Sequence, residues 1–188
     1  MKVVPTELPE VLIVEPGVHG DSRGFFYESF QALRYAEAGI PGPFVQDNVS
    51  RSARGTLRGL HLQHPKGQGK LVQVLRGSVW DVAVDVRRGS PRFGRWVGIE
   101  LSEAQPRQLW IPPGFAHGFC VLSEVADVLY KQSNYYADET ERGIAYDDPD
   151  VGIEWPLPGE QLNVSERDSR APRLAEVADT LPFEFVAS

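Results

Sequence analysis

The nine residues from Ser78 to Val86, SVWDVAVDV, alternate with a period of two. Trp80, Val82, Val84 and Val86 fall on one face, and Asp81 and Asp85 fall on the other. Extended chain sends every second side chain to one side, whereas a helix would scatter these residues around its axis. Shorter runs of the same kind cover Lys70–Leu75, Arg95–Leu101, Arg107–Ile111, Gly118–Leu122 and Asp127–Ser133, with Gly and Pro between them. Strands at this spacing predict a sandwich or barrel. At 188 residues the natural architecture is a mainly β, double-sheet jelly roll with one core, spanning 1–188 as a single domain.

Two short peripheral helices are predicted. Phe30–Ala38 places Phe30, Leu33 and Ala36 at helical spacing, with Gly39 as a stop and Pro41 beyond it. Pro172–Thr180 opens on proline and carries Leu174, Val177 and Ala178. The acidic, proline-containing stretch Asp138–Gly159 reads as a long surface loop. No repeat, low-complexity tract or linker interrupts the chain.

A single cysteine, Cys120, excludes an internal disulfide and any multi-cysteine zinc site. The opening residues, MKVVPTELPEVLIVEP, lack the apolar run of a signal peptide, and no stretch is long enough to span a bilayer. A soluble cytoplasmic protein with no membrane partner is expected. The net charge of -7 argues against a nucleic-acid partner. From Asn48 to Trp80, however, there is no Asp or Glu, while Arg51, Arg54, Arg58, Lys66, Lys70, Arg76, His61 and His64 all fall in that window. Such a basic island suits a small anion such as a pyrophosphate, or else is a solvated face.

Two of the four histidines sit in a familiar spacing. Gly55, His61 and Gly77 resemble the first motif of the cupins, and Pro112-Pro113-Gly114-Phe115-Ala116-His117 resembles the second. Metal-binding cupins supply His-x-His and a glutamate from the first motif and a histidine from the second. Here Gln63 stands at the second histidine's place and Lys70 at the glutamate's. An ammonium group repels a divalent metal rather than ligating it. His64 lies three residues from His61, so an ideal strand points it to the opposite face. The scaffold reads as a cupin without its metal site.

His61, Gln63, Lys70 and His117 are then able to face one interior, with Tyr130 of the strand VLYKQSN joining them. A base, a cation and a phenol suit proton abstraction beside a carbonyl. The base takes the α-proton, the cation stabilises the enolate, and the phenol returns a proton to the other face. The substrate ketone supplies the acidity, so no cofactor is required. Each residue also has an ordinary structural reading: His61 and Tyr130 as hydrogen-bonded core residues, Lys70 as a surface lysine, Asp168 as part of a capping box in SERD, and His117 as part of a turn.

The stretches DSRGFFYESF, QDNVSRSARGTLRGLHLQ, GQGKLVQVLRGSVWDVAVDVRRGSPRFG, IPPGFAHGF, YKQSNYY and SERDSRAP resemble the dTDP-4-dehydrorhamnose 3,5-epimerase family, over about Gly20–Pro172. The resemblance implies a metal-free isomerase acting on dTDP-4-dehydro-6-deoxy-D-glucose. It implies His61 as general base, Asp168 as its partner, Tyr130 as general acid and Lys70 as the enolate-stabilising cation. It further implies substrate contacts from Arg58, His117, Gln46, Asn48, Tyr136 and Arg167, the last at a position often held by lysine. Arg23, Phe26 and Glu28 resemble a nucleotide-binding segment that reaches into a neighbouring subunit, which implies a homodimer with N-terminal strands of about residues 1–30 exchanged. Arg58 and His61 are three residues apart and share a face only if a bulge or turn occurs at Gly59. Competing readings are an epimerase acting at C3 or C5 only, a metal-dependent cupin using His61, His64 and His117, and an inactive sugar-nucleotide binding module.

Overall fold

The computed structural model describes residues 1–186. The chain opens with β1 (Lys2–Pro5), β2 (Leu12–Glu15), a hairpin of β3 (His19–Asp21) and β4 (Gly24–Phe26), and helix α1 (Ala32–Glu37). The body follows as β5 (Gln46–Ala53), β6 (Thr56–Gln63), β7 (Lys70–Arg76), β8 (Ser78–Asp85), β9 (Trp96–Ser102), β10 (Gln108–Ile111), β11 (Phe115–Val121) and β12 (Val125–Gln132). Beyond it lie β13 (Glu141–Gly143), β14 (Asn163–Val164), α2 (Glu166–Ser169) and α3 (Leu174–Val177).

One sheet runs β1-β2-β10-β7-β12-β5 and the other β13-β6-β11-β8-β9, with β14 parallel to β6. The expected double-sheet jelly roll is therefore present, and the predicted strands appear within a few residues of their expected ends. Between the sheets lies the main core. Val72, Val74, Leu109 and Val128 come from the first sheet, and Val79, Ala83, Leu101, Phe115 and Val121 from the second.

The alternation of β8 holds, but both of its faces are covered. Val82, Val84 and Val86 pack outward beneath Ile144, Leu174 and Leu181. Asp81 and Asp85 point between the sheets and are fully buried. Buried carboxylates need partners, and both have them. Asp85 accepts from Arg87 at 2.6–2.9 Å and from Ser90 Oγ at 2.7 Å.

The first predicted helix is shorter than expected. It starts at Ala32, capped by the Gln31 side chain, which accepts from the Arg34 N–H. Phe30 stays outside it and packs on Tyr35 with ring centroids 5.0 Å apart. The second forms as α3 and a following 3-10 turn, Ala178–Thr180. Asp138–Gly159 departs further from expectation. Its residues 141–143 pair with β6, and Ile144 and Asp148 are buried. Acidic composition hides this, because Asp148 is consumed inside, where its carboxylate accepts from the Leu174 N–H at 2.7 Å.

Candidate active site

His61 on β6 and His117 on β11 are direct antiparallel partners. Residues opposite one another in such a pair project to the same face. Both line a cavity of about 620 Å³ between the sheets. Lys70 and Tyr130 enter the same cavity from the other sheet, at the start of β7 and near the end of β12.

The pairing of β6 with β11 slips by one residue between His61 and Arg58. That bulge sits at Gly59, as the shared-face argument requires, and it lets Arg58 line the cavity together with His61. Gly59 has φ +117, and a Cβ there would lie 2.6 Å from Gly118 Cα and His117 O. No other residue fits this position without moving both strands.

The bulge also frees the Gly59 N–H, which donates to Asp168 Oδ2 at 3.2 Å. The other carboxylate oxygen, Oδ1, is 2.7 Å from His61 Nε2. Ser165 caps α2 by accepting the Asp168 N–H at 3.0 Å. The cap half of the expected motif is thus real, but the Asp168 side chain is turned away from it and onto the imidazole. Burial pushes this carboxyl upward, yet the hydrogen bond and charge of His61, with the Gly59 and Ser165 bonds, outweigh it and hold it below its usual range. A carboxylate at Nε2 places the proton there, leaving Nδ1 as the basic nitrogen. Nδ1 lies 3.7 Å from Glu141 Oε1.

Lys70 is buried, which drives its pKa down from 10.5 to about 8, while Glu141 and Asp81 pull it back up. Burial likewise lowers His117, against the pull of Asp81, whose carboxylate oxygens are 3.0 and 3.1 Å from His117 Nε2. Burial raises the Tyr130 phenol, with Arg58 opposing. The phenol therefore keeps its proton at neutral pH.

The remaining expected residues divide in two. Gln46, Asn48, Tyr136 and Arg167 line the cavity. Gln46 donates to Asn48 Oδ1 at 3.0 Å and accepts from the Tyr136 N–H at 2.9 Å. Arg167 pairs with Glu141. Arg23, Phe26 and Glu28 do not join them. Phe26 is 71% exposed on the β3–β4 hairpin, Arg23 pairs with Asp21, and Glu28 pairs with Arg34. The basic island is also mostly superficial: Arg51 is bound to Asp127 and Arg54 to a carbonyl, and of the island's cations only Arg58 and Lys70 line the cavity. His64 faces away from His61 and His117 into a different cavity.

Sequence reasoning missed Asp81 and Glu141. Asp81 had a signal, as an acid on one face of an otherwise apolar strand. Glu141 had none, since it reaches the cavity from a stretch that reads as surface loop.

The dTDP-4-dehydrorhamnose 3,5-epimerase family model matches residues 5–176. A dTDP-4-dehydrorhamnose 3,5-epimerase from Pseudomonas aeruginosa is 54% identical over 97% of this chain and 100% of its own length. The crystal structure of a Legionella pneumophila dTDP-6-deoxy-D-glucose-3,5-epimerase in complex with dTDP-4-keto-L-rhamnose superposes with TM-score 0.95 at 54% identity, covering 99% of both chains. An Elizabethkingia anophelis dTDP-4-dehydrorhamnose 3,5-epimerase superposes with TM-score 0.90 at 47% identity, over 94% of this chain and 97% of that one. A cavity with paired histidine and carboxylate, a facing phenol and a buried lysine thus occurs in a chain that matches these enzymes over most of its length, and the chain belongs to the dTDP-4-dehydrorhamnose 3,5-epimerase family.

Proposed function

We propose that His61, Asp168, Tyr130 and Lys70 carry the family's reaction in this chain. That reaction is the epimerisation of dTDP-4-dehydro-6-deoxy-D-glucose at C3 and C5 to dTDP-4-dehydro-L-rhamnose, in dTDP-L-rhamnose biosynthesis. The observation that carries the assignment is the placement of base and acid on opposite walls. His61 comes from one sheet, and Tyr130 comes from the other.

His61 Nδ1 takes the proton from the carbon beside the C4 ketone. Asp168 stabilises the imidazolium that results and holds the ring's orientation. The electron pair moves onto the C4 oxygen as an enolate, which the buried Lys70 ammonium stabilises. Tyr130 delivers a proton to the opposite face of the same carbon, which inverts it. The ketone acidifies both neighbouring carbons, so the same groups serve C3 and C5 in turn once the ring has moved and proton exchange with solvent has returned His61 to the neutral base and Tyr130 to the phenol. Arg58 and His117 contact the sugar or pyrophosphate, and Gln46, Asn48, Tyr136 and Arg167 complete the substrate site.

The nucleotide end of the substrate belongs to a neighbouring subunit's hairpin. Phe25 and Phe26 are 69% and 71% exposed on a two-stranded unit that pairs only with itself. Exposed aromatic rings of this kind suit burial against a partner. By contrast, β1 pairs with β2 and β2 with β10 within the chain, so the exchanged part of a homodimer is the hairpin with Arg23 and Phe26, followed by Glu28. Among the described residues no helix is long and apolar enough to cross a membrane, and a cytoplasmic location fits a nucleotide-sugar substrate.

The test is proton NMR of the substrate with enzyme in deuterated water. Loss of signal at both C3 and C5, and its abolition in His61→Ala with dTDP binding retained, is the expected result. Exchange at one carbon only makes the chain a single-site epimerase, and full exchange in His61→Ala removes His61 from the role of base.

A further inference from the structure

A second cavity of about 480 Å³ lies on the outer side of the sheet that carries His61. The alternation of β6 explains its position: His61 points between the sheets, and Leu62 and His64 line the outer cavity. Leu62, Ile144 and Leu181 form a buried apolar surface there, and Pro172 and Val177 extend it. Arg142, Arg167 and Arg170 line the same space.

These cations are not equivalent. Arg170 is paired with Glu166 and Arg167 with Glu141. Arg142 makes no ion pair among the described residues; its Nη1 donates only to the carbonyls of Glu139 and Glu141, at 3.0 and 2.9 Å. A guanidinium bound only to carbonyls keeps its charge and further N–H donors for an anion. An apolar surface edged by such a group matches a ligand with a hydrophobic ring and one acidic substituent.

The two cavities share four residues, Leu62, Glu141, Arg167 and Asp168. We infer that this outer cavity is a second ligand site, separate from the substrate's, for a small amphipathic anion such as an aromatic carboxylate or sulfonate. Its occupant lies against the far side of the carboxylate that binds His61.

Anilinonaphthalene sulfonate, whose fluorescence rises on burial, is a direct probe. The expected result is one dye per chain, bound equally well with and without saturating dTDP. Arg142→Ala should weaken it about tenfold, as loss of one charge-assisted contact does. Thr180→Trp, at an exposed position on the cavity wall, should block it by filling the space. Retained dTDP binding shows that both variants are folded. Displacement of the dye by dTDP, unchanged dye affinity in both variants, or no dye binding at all would each overturn the assignment.

Discussion

Asp168 grips two groups at once: Oδ1 lies 2.7 Å from His61 Nε2, and Oδ2 accepts the Gly59 N–H at 3.2 Å. The same carboxylate therefore orients the imidazole and ties down the bulge that lets Arg58 share its face. Asp168→Asn keeps the shape but removes the charge that, in the proposed mechanism, stabilises the imidazolium. Turnover should fall by roughly 10²-fold or more, with dTDP affinity nearly unchanged. Steady-state kinetics beside a dTDP titration check this, and near-normal turnover would leave Asp168 as only a structural residue of α2.

Tyr130→Phe removes one oxygen from a ring that otherwise packs against the main core. His61 and Lys70, the proposed base and enolate-stabilising cation, remain, so deprotonation should continue without inversion. Deuterium should then enter the recovered substrate faster than product forms. Product formation at the wild-type rate would exclude Tyr130 as the acid.

In its proposed role Lys70, with its pKa lowered to about 8, should set an upper limit on activity with pH. Above that value the neutral amine no longer offsets the enolate charge, so kcat should decline through about pH 8. Stability runs the other way. Folding depresses this pKa, so between about 8 and 10.5 the unfolded chain binds more protons than the folded one, and this group's contribution to stability rises with pH across that window. Below it, burying the charge costs about 3 kcal/mol. Lys70→Met should consequently abolish turnover and raise the melting temperature by several degrees at pH 7. A lowered melting temperature would contradict this account of the buried charge.

Gly59→Ala tests the bulge. The positive φ alone costs about 1–3 kcal/mol, and the contacts at 2.6 Å with the β11 backbone add to it. A fall of at least that size in unfolding free energy, with loss of activity in whatever folds, is expected from denaturant titration. Wild-type stability would mean the β6–β11 pairing tolerates a side chain there.

Local pattern made much of this molecule legible. The period-two runs identify the strands because side-chain alternation is a property of extended chain itself. The spacing of His61, Lys70 and His117 identified three cavity residues, and the strand parity that separated His64 from His61 holds in the structure. Parity could not say which face of β8 is the interior, because apolar residues cover the outer face as well. Asp81 was therefore visible as an acid but not as the partner of His117.

Local sequence was enough to mark six central strands, the glycine on which the bulge depends, and the groups able to exchange protons. Their company came from the folded chain. The bulge at Gly59 turned Arg58 to the same cavity as His61, α2 brought Asp168 across 107 residues to His61, and β13 carried Glu141 out of an apparent surface loop. Strand order and long-range closure place these groups, and no local period records which distant segments will meet.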